Sequence, residues 1–132
     1  MIVGSGIDII DIRRIKKTIK TYNHRFKKKC FHPNEIKKSE SRLKSVESYA
    51  KRYAAKEACA KALGTGLARG VHWKDIEVVN DSFGKPKIKL YNKALNFLNS
   101  LQKQSKVSIE VSLSDEKDYA IANVMIYEVN KK

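Results

Sequence analysis

A chain of 132 residues can bury roughly two thirds of the surface its unfolded form exposes, so one domain spanning 1–132 with its own core is expected. With 42% hydrophobic and 32% charged residues, the composition excludes a disordered or fibrous protein. The 28 Lys and Arg outnumber 14 Asp and Glu, and the net charge of +14 either draws in acidic proteins, nucleic acids or polyphosphate metabolites, or is simply a solvated surface.

Ile2 to Ile10 is rich in β-branched residues and predicts a strand. Asp11 stands where an N-cap belongs, because Ile12, Ile15 and Ile19 then recur at helical spacing. The other face of that helix carries Arg13, Arg14, Lys16, Lys17 and Lys20, and Arg25 to Lys29 continues the basic character. Pro33 to Ser48 reads as short helix and loop. From about Val46 to Leu63 the chain holds six alanines and neither Gly nor Pro, which predicts a long helix closed by Gly64.

Beyond Gly70 the period changes to two. Ile76 and Val78 alternate with polar residues, Asp81 to Lys85 supplies a turn, and Ile88 and Leu90 lie on the returning strand of a hairpin. Ala94, Phe97, Leu98 and Leu101 then mark one face of a surface helix. Val107, Ile109, Val111 and Leu113 alternate with Ser108, Glu110, Ser112 and Ser114, as a strand with one wet face should. A turn at Asp115 to Asp118 leads into Tyr119 to Val129, apolar on both sides and so a central strand. The expected class is α+β with a mostly antiparallel sheet. Cys30 and Cys59, far apart and outside any Cys-x-x-Cys pair, suggest neither a disulfide framework nor a zinc site and fit a reducing cytosol. The most apolar stretch, Tyr119 to Tyr127, is far short of the ~20 residues of a membrane span, so no membrane association is expected.

Two carboxylates stand out. On a helical wheel Glu57 shares a face with Val46, Ala50, Tyr53 and Ala60, a core register in which a carboxylate needs a cation, hydrogen bonds or a metal. The plain alternative is an ion pair with Lys61 one turn on. Asp8 interrupts Ile7, Ile9 and Ile10 and needs a partner as well, whether solvent, a lysine or a metal. Taken together they form a set of hard oxygen ligands of the kind Mg²⁺ takes, with water and a substrate phosphate completing the octahedron. Gly64-Thr65-Gly66 would let backbone approach that phosphate, although a helix C-terminus has the wrong dipole for an anion and Lys61 and Arg52 would have to supply the charge. His24, His32 and His72 read as surface residues, and Trp73 as packing.

Gly6-Ile7-Asp8-Ile9 and Tyr53-Ala54-Ala55-Lys56-Glu57-Ala58, running on to Lys61-Ala62-Leu63-Gly64-Thr65-Gly66, together resemble the two signatures of the holo-acyl-carrier-protein synthases, the short bacterial branch of the 4′-phosphopantetheinyl transferases. The resemblance extends through Gly84-Lys85-Pro86 to the last hairpin. It implies a homotrimer with coenzyme A held in clefts between subunits, and transfer of the phosphopantetheine arm to a serine of acyl carrier protein in fatty acid synthesis. By position, Asp8 and Glu57 are similar to the magnesium ligands and Lys61 to the residue that steadies the diphosphate. Lys44, Arg52, Gly64, Thr65, Gly66, Gly84, Lys85 and Pro86 are similar to the coenzyme A contacts. Arg14, with Arg13, Lys17 and Arg25 around it, is similar to the surface that docks the acidic carrier. Ser114-Asp115 stands where many members have His, and Leu43-Lys44 where a basic pair is common, which leaves Lys44, or Arg42 nearby, to meet the 3′-phosphate. The implied base is Glu57, acting directly or through a water on the metal. A non-catalytic nucleic-acid binder is the rival reading of the charge, but no helix-turn-helix, RNA-recognition or zinc-finger pattern accompanies it.

Overall fold

Three strands and one helix set the frame. In the computed structural model, which describes residues 1–102 and 105–129, strands β1 (Ile2–Asp11), β4 (Lys106–Glu116) and β5 (Tyr119–Val129) form an antiparallel sheet in the order β1-β5-β4. β5 is central, as its apolar character on both faces predicts. A second, two-stranded antiparallel sheet is the hairpin of β2 (Ile76–Asn80) and β3 (Pro86–Leu90). The helices are α1 (Ile12–Tyr22), α2 (His24–Cys30), α3 (Pro33–Glu40), α4 (Ser45–Leu63) and α5 (Asn92–Ser100). The α+β class with antiparallel sheets is what the sequence implies.

Local chemistry explains the element ends. Asp11 caps α1 by accepting from the Arg13 amide at 2.9 Å. Gly64 closes α4 in the left-handed conformation, φ +85°, which a residue with a Cβ adopts only under strain. The β4–β5 turn is tighter than the sequence pattern indicates. Asp115 and Glu116, read there as turn, pair in register with Ala120 and Tyr119, so only Lys117 and Asp118 turn the chain. Ladder hydrogen bonds available up to the last residue pair outweigh the low strand propensity of the acidic residues.

α4 lies on the sheet and is enclosed from several sides, by β1, β5 and β4 beneath it and by α1, α3 and β2 around it. Ala54, Ala55, Ala58 and Ala60 are fully buried, and across the interface Gly4 and Gly6 replace side chains with bare backbone. A Cβ on Gly6 would overlap the carbonyl oxygen of Ala58, and one on Gly4 that of Ala62. These small residues on both partners let helix and strand approach closely, which brings Asp8 within reach of α4.

The wheel reading of α4 needs correction. Enclosure on several sides leaves no single core face, and the fully buried charge is Lys56, not Glu57, which is half-buried at the edge. Lys56 Nζ donates to Glu35 Oε1 at 2.7 Å, to the Trp73 carbonyl at 3.1 Å and to the Ile76 carbonyl. An isolated ammonium here would cost several kcal/mol; a carboxylate and two carbonyls replace its water. His24 and His72 are exposed, as expected, whereas His32 is partly buried where it heads α3; His72 heads the short turn Trp73–Asp75. Trp73 packs as expected, its ring stacked on Tyr53 with centroids 4.4 Å apart.

Candidate active site

Asp8 and Glu57 converge. In β1 the side chains alternate, so Gly6, Asp8 and Ile10 share the face that meets α4, whereas Ile7 and Ile9 point the other way. Asp8 thus faces the helix from the middle of a strand. Lys61 Nζ bridges the two elements, donating to Asp8 Oδ1 at 3.2 Å and to the Ile7 carbonyl at 3.0 Å. The i,i+4 pair between Glu57 and Lys61 is therefore not formed, because the strand offers Lys61 two oxygens instead of one.

Glu57 takes no hydrogen bond from protein among the described residues. Burial, and then the charge of Asp8, push its carboxyl above the ordinary glutamate value, while Lys61 and Arg14 pull it down. Glu57 stands one turn before Lys61 on α4, and Lys61 reaches Asp8, so helix and strand present the two carboxylates on either side of one ammonium. Two half-buried carboxylates beside one ammonium form a donor set of hard oxygens that suits Mg²⁺, with the remaining positions left to water and phosphate. The chemistry of the residues present fits that ion.

A second constellation lies on the other side of α4. A cavity of about 600 Å³ is walled by Arg42, Lys44, Lys51 and Arg52 with Gly84, Pro86 and Asp115. Lys44, Arg52, Gly84 and Pro86 are thereby brought together, as the resemblance implies. The cavity's β4 wall includes Leu113, which pairs with Ala122 of β5, and Ala122 pairs in turn with Asp8. Asp8 and the cavity thus flank the central strand on opposite sides. Along α4, Lys51 and Arg52 stand nine or ten residues before Lys61, about 14 Å at 1.5 Å per residue, and point to a different face. None of Asp8, Glu57 and Lys61 lines the cavity.

The remaining expected contacts fall in several places. Gly64-Thr65-Gly66 stays at the end of α4, outside that cavity, and its polar groups already have partners: the Thr65 and Gly66 amides donate to the Ala60 carbonyl, and the Thr65 hydroxyl to the Gly66 carbonyl at 2.7 Å. Lys85 turns outward to Glu110 at 3.2 Å. Lys51 and Asp115 form a 3.2 Å ion pair across the cavity, a link with no local signature because the partners are far apart in the chain. Asn80, which the sequence reading passes over, holds Arg52 from β2 at 3.0 Å.

The basic region is also divided. Arg13 is tied to Asp11 at 2.7 Å and stands 3.6 Å from Asp118. Arg14 and Arg25 instead border a groove of about 410 Å³ whose walls include Phe26, Tyr53 and Trp73. Lys17 is exposed on α1 but does not line it. Tyr53, one turn before Glu57 on α4, lines this groove, which sets it next to Glu57.

Comparison with known proteins follows the same lines. A sequence profile of the 4′-phosphopantetheinyl transferase superfamily matches residues 4–124. A holo-[acyl-carrier-protein] synthase of Rhizobium rhizogenes is 47% identical over 127 residues, covering 96% of this chain and 95% of the relative. Among solved structures, the holo-[acyl-carrier-protein] synthase of Neisseria meningitidis aligns with a TM-score of 0.82 at 38% identity, over 97% of this chain and 100% of that one. The Helicobacter pylori enzyme in complex with coenzyme A aligns with a TM-score of 0.80 at 30% identity, over 93% and 99%.

Proposed function

The chain belongs to the 4′-phosphopantetheinyl transferase superfamily, and from that premise we infer that it transfers the phosphopantetheine arm of coenzyme A to a serine of apo acyl carrier protein. The products are holo carrier, for fatty acid synthesis, and adenosine 3′,5′-bisphosphate. The observation that carries the site assignment is the meeting of Asp8, Glu57 and Lys61 across β1 and α4.

In this reading Asp8 and Glu57 hold Mg²⁺, which would draw charge from the diphosphate oxygens. Lys61 exchanges its contact with Asp8 for one with the diphosphate, and steadies the charge that builds as the P–O bond to the leaving nucleotide breaks. Glu57, directly or through a water that the metal would hold, accepts the serine proton as the new P–O bond forms. Arg14 and Arg25, beside the groove next to Glu57, receive the acidic carrier and bring its serine to this edge. Lys44, Arg52, Gly84 and Pro86 take the nucleotide end, with Arg42 and Lys44 available to its 3′-phosphate.

The separation of cavity and carboxylates in one chain supports a cleft completed by a neighbouring subunit, hence the homotrimer. So does the outer face of the sheet, where Ile7 and Ile9 are 63% and 60% exposed and Ile121 40%. Free, buried Cys30 and Cys59 are compatible with work in the reducing cytoplasm.

The test is direct. Apo carrier incubated with the protein, coenzyme A and Mg²⁺ is expected to gain the mass of one phosphopantetheine group, and Glu57→Gln to abolish the gain while leaving the circular dichroism spectrum intact. An unmodified carrier with the wild-type chain would end the proposal; full transfer by Glu57→Gln would remove Glu57 from it.

A further inference from the structure

The wall of the larger cavity is organised by a hydrogen-bonded series that starts in the core. Glu35 on α3, 1% exposed, accepts from Lys56 at 2.7 Å, from the His32 amide at 3.0 Å and from the Val78 amide at 3.2 Å, and its second oxygen lies 3.9 Å from Arg52. Arg52 donates to the Val78 carbonyl and, through Nη2, to Asn80 Oδ1 at 3.0 Å. Asn80 Nδ2 donates onward to the Gly84 carbonyl at 3.1 Å. Arg52, Asn80 and Gly84 all line the cavity, so a single amide joins a cation of α4 to the tip of the β2–β3 hairpin.

The amide is suited to this because one end accepts and the other donates. Flipped, it would set NH₂ against guanidinium and oxygen against carbonyl. Gly84, at φ +82° with open space where a Cβ would stand, has no side-chain packing to hold it, so its position relative to Arg52 depends on hydrogen bonds. The turn itself has a separate support: Asp81 Oδ1 accepts from the Phe83 and Lys85 amides, each at 2.9 Å. Loss of Asn80 would therefore remove the side-chain link between Arg52 and the Gly84 carbonyl, while the Gly84 amide stays on the Asp81 carbonyl at 2.9 Å and Arg52 on the Val78 carbonyl.

We propose that Asn80 is a positioning residue that couples Arg52 to the Gly84 turn and so sets the spacing of the cavity walls for the nucleotide end of the substrate; this rests on the assignment of the cavity to coenzyme A. Coenzyme A affinity is measured by titration without carrier, alongside kcat, both KM values and Tm, for the full-length wild type, Asn80→Ala and Asn80→Asp. Asn80→Ala is expected to weaken coenzyme A binding and raise its KM about ten-fold, because walls that are no longer spaced in advance must be ordered by the ligand. The kcat and the carrier KM stay as in the wild type, while Tm falls by a few degrees for the hydrogen bonds lost within the fold. Asn80→Asp, which keeps the acceptor toward Arg52 but sets oxygen against the Gly84 carbonyl, is expected to weaken coenzyme A binding as well. Wild-type affinity in either variant overturns the inference, and so does a fall in kcat joined to a rise in the carrier KM, which would mark a merely structural role. A wild-type chain that binds no coenzyme A and leaves the carrier unmodified would instead sink the underlying assignment and this inference with it.

Discussion

Glu57 carries a proton affinity raised by burial and by Asp8. A carboxyl whose pKa is higher in the folded than in the unfolded chain stabilises the fold fully below the ordinary glutamate value, and that contribution is lost as pH rises through the raised one. At neutral pH the ionised group therefore costs stability. Glu57→Gln is expected to keep or raise Tm at pH 7 in metal-free solution, and to flatten the fall in Tm with rising pH over the acidic range. A lower Tm at pH 7 would mean that the charge is compensated within the fold. Loss of transfer together with a gain in stability is the pattern of a residue kept for chemistry rather than for folding.

The pairing of β1 with α4 is the element on which the site depends. Gly6 lies two residues before Asp8 on the same face, directly under the Ala58 carbonyl. Gly6→Ala must push the helix off the strand, and the expected cost is about 3 kcal/mol, at the upper end of overpacking a well-filled core. Urea denaturation measures it. Transfer should fall further than the folded fraction does, since the same displacement carries Glu57 and Lys61 away from Asp8. Activity that tracks the folded fraction alone would show that the strand–helix spacing is not critical to the chemistry. The Lys56 and Glu35 pair fixes the other side of α4, tying it to α3 and β2.

At the scale of the whole molecule, the two half-sites lie on different sides of α4. If the proposed trimer completes each cleft with the carboxylates of one chain and the cationic cavity of its neighbour, defects in the two halves should complement. Glu57→Gln and Lys44→Glu, each expected to be inactive or nearly so alone, are predicted to regain transfer when co-expressed and purified as mixed assemblies. Absence of recovery in assemblies shown by mass spectrometry to contain both variants would place both halves of the cleft in one chain. The net charge of +14 belongs to this scale as well. Part of it is neutralised locally, as at Arg13, while Arg14 and Arg25 border the groove beside Glu57.

Element order was legible in the sequence because hydrophobic period, capping residues and turn residues are local signals. The Asp11 cap, the β2–β3 hairpin, the alternation in β4 and the central place of β5 all follow from residues within a few positions of one another. The oddity of Asp8 and Glu57 was visible for the same reason: each is a charge in an apolar pattern. Their partners were not visible. The choice of Lys61 for Asp8, the burial of Lys56 against Glu35, the Lys51–Asp115 link and the hold of Asn80 on Arg52 join different elements. Only packing brings these groups together, because a buried charge takes whichever oppositely charged or polar group the tertiary fold sets beside it, and spacing along the chain does not determine which group that is.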